Sequence, residues 1–135
     1  MSEDTRFMFG FTLILVPTIV YGGLTVLGIL TNGVFGAPGP RHLSPPQIAL
    51  YRAGHAHAGV LALLSLFLQL AVDYAVIPHS LVWPVRWGAV AAALLVSGGF
   101  FGLAHFPASR VLLYTGASLV AATTLTVGIG LLRVR

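Results

Sequence analysis

Four apolar runs constrain this chain more than anything else in it. They cover roughly 7–30, 50–72, 81–104 and 108–132, and each reaches the roughly 20 residues a helix needs to cross a bilayer. The breaks carry turn chemistry. Thr31 to Pro46 holds three glycines and four prolines, "DYAVIPHS" parts spans two and three, and "HFPAS" turns tightly around Pro107. Lipid cannot satisfy an open strand edge, and the runs are too long for barrel strands, so each is expected to be a helix. The expected fold class is an all-α bundle of four transmembrane helices, one integral membrane domain over 1–135.

Composition agrees. Only 7% of the residues are charged and 57% are hydrophobic, against about 25% charged in a soluble domain. All seven basic residues are arginines, set singly at the ends of apolar runs where they reach headgroups; the basic balance is therefore no sign of nucleic acid. The absence of cysteine excludes disulfides, thiolate zinc, Cys-ligated clusters and covalent c-type haem. Ser2-Glu3-Asp4 is acidic where a secretory signal would be basic, so the first run is read as a span.

Four spans put both termini on one side, called side A. Side A carries Arg6, Arg86, Arg133 and Arg135; side B carries Arg41, Arg52 and Arg110. The positive-inside rule then favours a cytoplasmic side A, in what is expected to be a prokaryotic inner (plasma) membrane. Trp83 and Trp87 suit an aromatic belt there. Gly98 and Gly102, with Gly99 beside them, and Gly54 with Ala58 have the spacing of close helix contacts. Pro17 is expected to kink span one.

Topology gathers four of the five histidines on side B: His42 in the loop, His55 and His57 at the start of span two, and His105 at the end of span three. Only His79 belongs to side A. With Arg52 as an interface marker, His55 lies about 4–5 Å below it and His57 about 7–8 Å. Two residues apart on a helix means about 200°, so His55 and His57 diverge and cannot chelate one ion together. The His55 face continues through Gly59, Ala62, Leu66, Gln69 and Asp73, flanked by Ala58 and Ser65. Such a small and polar stripe normally faces a bundle interior. The His57 face continues through Leu61, Leu64 and Leu68, and suits lipid, another subunit or a large apolar cofactor.

Weaker candidates are Tyr114 and Thr115 in span four and Thr18, Tyr21 and Thr25 in span one. Thr123, Thr124 and Thr126 are expected to bond back to helix carbonyls. Asp73 is the one acid at the end of a span and is expected to pair with Arg86 or Arg6.

Histidines at one depth point to a haem or metal site. A bis-His haem takes one imidazole from each of two helices, here His105 with His55 or His57. The cofactor expected is b-type haem or a His-ligated metal ion held by His55, His57 and His105, with His42 in reserve and the long loop as a lid. The bland alternative is interfacial histidines with no ligand.

"GHAHAGVLALLSLFLQL" resembles the helix of haem–copper oxidase subunit I that supplies a haem-ligating histidine, through His57, Gly59, Phe67 and Gln69. The resemblance covers about twenty residues and implies a haem-bearing or oxidase-like protein. Four spans with few deep histidines imply no copper centre and no complete oxygen-reducing enzyme. Electron transfer, sensing or support of a respiratory complex would follow, with the bilayer, a second copy or that complex as partner. Two other readings remain. One is a proton-coupled transporter using His55, Ser65, Gln69 and Asp73, although span one lacks the acid that small four-helix drug exporters use there. The other is an accessory or assembly subunit that docks through its leucine and glycine faces.

Overall fold

The computed structural model describes residues 1–31, 33 and 43–133. Four long helices follow one another: α1 (Glu3–Leu30), α2 (Pro45–Val72), α3 (His79–Leu103) and α4 (Arg110–Leu132). All four are long and apolar enough to cross a membrane. The chain is therefore an all-α four-helix bundle with the character of a membrane protein. His42, Arg41 and Arg135 lie outside the described residues.

α1 and α2 begin before their apolar runs because polar residues precede and cap them. Ser2 accepts a hydrogen bond from the Thr5 N–H at 3.1 Å, so α1 begins at Glu3, with acids in its first turn. Ser44 precedes α2, and Pro45 and Pro46 fill the first helical positions, where a missing N–H costs nothing. Gln47 accepts from the Ser44 N–H at 2.9 Å and donates to the Ala104 carbonyl at 2.8 Å, tying the start of α2 to the end of α3. A short 3-10 turn, Pro107–Ser109, leads into α4. α1 runs on through Pro17 as one helix.

Both termini lie at one end. The Ser2 N–H donates to Asp73 at 2.8 Å, and the Val76 N–H donates to the Gly130 carbonyl at 2.9 Å. The α2–α3 connection is thus flanked by the beginning of α1 and the end of α4. This end is side A.

Within lipid there is little hydrophobic drive between helices, so close packing and polar contacts must hold them. α3 is the most enclosed helix and α1 the least. α3 and α4 approach through glycine. A Cβ on Gly99 would stand 2.7 Å from the Leu113 backbone nitrogen, and one on Gly116 would stand 2.7 Å from that of Val96. Gly54 is pressed on Phe100 and Phe101. Gly98, half of the expected G-x-x-x-G pair, has nothing within 4 Å; Gly99 is the residue that makes the approach. Leu68, Val72, Val85, Ala89 and Val127 form the core between α2, α3 and α4. α1 leans on α2, and Phe11 reaches Trp87 of α3 edge-to-face at 5.3 Å.

Candidate functional site

α2 is the centre of the arrangement, and both faces considered above are occupied. The His55 face turns toward α1. The His57 face packs on α3 and α4, with Leu61 and Leu68 buried and Leu64 half-buried. The third face, with Ala56, Val60, Leu63, Phe67 and Leu70, is the exposed one. The leucines below His57 therefore pack inside this chain.

The three described side B histidines go to different places. The His55 ring lies over Gly23, where a Cβ would come within 2.6 Å of its Cε1. It also lines an apolar groove of about 400 Å³ with Val16, Ile19, Gly59 and Leu66. His57 is exposed on the opposite flank. Its Nδ1 is 2.7 Å from the Ala53 carbonyl, and its ring sits 4.7 Å from that of Phe100, tilted by 35°. A carbonyl only accepts, so Nδ1 carries a proton, which in the neutral ring leaves the lone pair on Nε2. His105 is exposed just beyond α3, with Nε2 2.9 Å from the Tyr51 hydroxyl. Among the described residues no three of His, Cys, Asp and Glu come together as a set that could hold a metal ion. Arg52, Tyr114 and Thr115 are exposed.

The polar stripe converges at side A instead. Arg86, only 2% exposed, donates to Asp73 at 2.9 Å and to the side-chain and main-chain oxygens of Gln69 at 3.2 Å. Gln69 is fully buried and returns a hydrogen bond to the Arg86 carbonyl at 3.0 Å. Thr5 donates to Asp73 at 2.6 Å, and the Ser2 hydroxyl does so at 2.7 Å. Burial alone would raise the Asp73 carboxyl. The hydrogen bonds from Thr5, Ser2 and Arg86 outweigh it and hold the group well below the usual carboxylate range. The expected Asp73–Arg86 pair is present, and the structure adds Ser2, Thr5 and a central part for Gln69. The spacing Ser2-x-x-Thr5, with both hydroxyls beside an N-cap, was their signal.

Tyr51 and Ser97 stand outside the residues that the sequence singles out. Tyr51 stands four residues before His55, close to its face, and packs edge-to-face on Phe101 at 5.5 Å as well as meeting His105. Ser97 sits among small residues that read as packing alone. Thr123, Thr124 and Thr126 bond back to helix carbonyls as expected.

No protein-family model, curated protein or solved structure matches this chain.

Proposed function

We propose that this chain is a small integral membrane protein that binds b-type haem, or another imidazole-ligated metal, at its side B end, with His57 as the ligand. Its role is electron transfer, sensing or support of a respiratory complex in a prokaryotic plasma membrane, with side A in the cytoplasm. The observation that carries the reading is the 2.7 Å contact between His57 Nδ1 and the Ala53 carbonyl. A metal-ligating histidine characteristically gives its other ring N–H to such an acceptor, which fixes the tautomer and raises the basicity of the free nitrogen. Phe100 offers an aromatic wall beside it. Exposure of His57 suits a second ligand from another copy of the chain or from a larger complex. His105 is engaged by Tyr51 and His55 is covered by α1, so both are weaker donors.

A proton-carrying role is less well supported. Asp73 accepts from three side chains and a backbone N–H and stays ionised at neutral pH, which suits an anchor rather than a carrier.

The test is the absorption spectrum of detergent-purified protein from haem-replete cells, with elemental analysis. A Soret band is expected, lost in His57→Ala and kept in His55→Ala and His105→Ala. A colourless, metal-free preparation overturns the reading, as does a band that survives His57→Ala.

A further inference from the structure

A groove at the side A end lies between the α2–α3 connection, the first turn of α3 and the end of α4. It measures about 200 Å³ and is lined by Ile77, Pro78 and Leu81 from the connection and α3, and by Thr126, Ile129 and Arg133 from α4 and just after it, among others. Its two walls are fixed to each other. The Val76 N–H donates to the Gly130 carbonyl at 2.9 Å, and a Cβ on Gly130 would stand 3.0 Å from the side chains of Ala75 and Ile77. Arg133 is the one ionisable residue on the lining. It is exposed and forms no ion pair among the described residues. The chain has three acids to offer it: Glu3 and Asp4 open α1, and Asp73 is taken by Arg86. Ile129 stands one turn of α4 deeper in the membrane than Arg133, and Leu81 lies within the first turn of α3. Both are exposed, at 52% and 43%. The groove thus has a cation at the membrane surface and apolar walls beneath it.

We propose that this groove binds one anionic phospholipid, with its phosphate on Arg133 and the first carbons of one acyl chain against Leu81 and Ile129. Charge complementarity narrows the choice. An arginine without an acid partner is answered by a phosphate, which accepts two of its N–H groups at once. A zwitterionic lipid brings its own cation, for which the groove offers no carboxylate. A free phosphate would pair with the arginine and leave the apolar walls uncovered. The volume exceeds the roughly 150 Å³ that takes benzene, which is room for the start of one chain. The start of α3 adds to the field: it has no side-chain cap, and its first N–H groups favour negative charge at the same end. Basic pockets between membrane helices at headgroup level recognise anionic lipids in this way.

The proposal is independent of the haem reading and holds for either orientation of the chain. Phosphatidylglycerol and phosphatidylcholine with the same acyl chains are titrated separately into delipidated protein in detergent, and bound lipids are counted by native mass spectrometry. Phosphatidylglycerol is expected to bind saturably, about one per chain, and at least about tenfold more tightly than phosphatidylcholine, the worth of one charge-assisted hydrogen bond. In Arg133→Gln that preference should vanish. Arg6→Gln and Arg110→Gln remove exposed arginines at other span ends and should keep it. Glycerol 3-phosphate, the headgroup without chains, should not compete at concentrations that saturate the lipid. Equal binding of the two lipids, a preference lost equally in all three variants, or competition by glycerol 3-phosphate at matched concentration overturns the proposal. Arg133 is exposed, so its replacement should leave the melting temperature in lipid-free detergent unchanged, and a loss of preference then reads binding rather than folding.

Discussion

Arg86 is a full charge at 2% exposure in a chain with three acids, and its answer is assembled from the start of α1 and the end of α2. Asp73 supplies the countercharge, Gln69 two oxygens, and Ser2 and Thr5 hold the carboxylate in place. Removing one member of a buried pair costs about 3–5 kcal/mol, because the other charge is left without compensation. The side chain of Asp73 remains 14% exposed, so Asp73→Asn is expected near the lower end, about 3 kcal/mol, read by denaturation in detergent. The pH dependence follows from the same contacts. A carboxyl held below its unfolded value adds stability that is complete above about pH 4 and is lost as pH falls toward the folded value. Wild type should therefore melt at a constant temperature from pH 7 to about 5 and lower below about 4. Asp73→Asn should lose this acid limb. Equal melting of the two proteins across that range would show that the pair contributes nothing.

Between elements, the fit of α3 to α4 rests on glycine at particular rotations rather than on glycine content. Gly99→Ala sets a methyl against the Leu113 backbone, which cannot step aside, and should cost about 1–3 kcal/mol. Gly116→Ala meets Val96 in the same way. Gly98→Ala meets nothing and should be neutral, or stabilising by up to about 1 kcal/mol, because alanine favours helix. Thermal unfolding of the three variants in one detergent checks the order. This pair of neighbours also marks how far the sequence could be read. Span number, approximate ends and the divergence of His55 from His57 follow from run length and from 100° per residue. Which neighbour each face meets does not, because rotation is settled by packing between helices. The leucines below His57 looked suitable for lipid or a partner, and α3 and α4 cover them. Gly98 and Gly99 are indistinguishable as letters, and one approach distance separates them. Ser65 belongs to a stripe of small residues, and whether its hydroxyl finds a partner depends on side-chain rotation and neighbouring helices, which the letters do not carry.

At the scale of the whole molecule, the fold bears on its own orientation. The preference for a cytoplasmic side A rests on four arginines against three, and Arg86 is the fourth. In the folded chain it is an interior residue paired with Asp73, not a loop charge. Orientation, however, is set as segments insert, when arginines near span ends count and acids contribute little. On that assignment Arg86 would act twice: as an orienting charge before α2 and α3 pack, and as the anchor of α1, α2 and α3 afterwards. Arg86→Gln should then yield chains in both orientations, whereas Asp73→Asn, which breaks the same pair, should leave orientation intact. The absence of cysteine makes this measurable with single introduced thiols. Glu3→Cys reports side A and Ala108→Cys side B, both at exposed positions. A membrane-impermeant maleimide on intact cells should label Ala108→Cys alone in the parent, and both positions once Arg86→Gln is added. Labelling of Glu3→Cys in the parent would reverse the assignment, and one-sided labelling in Arg86→Gln would show that the remaining arginines suffice.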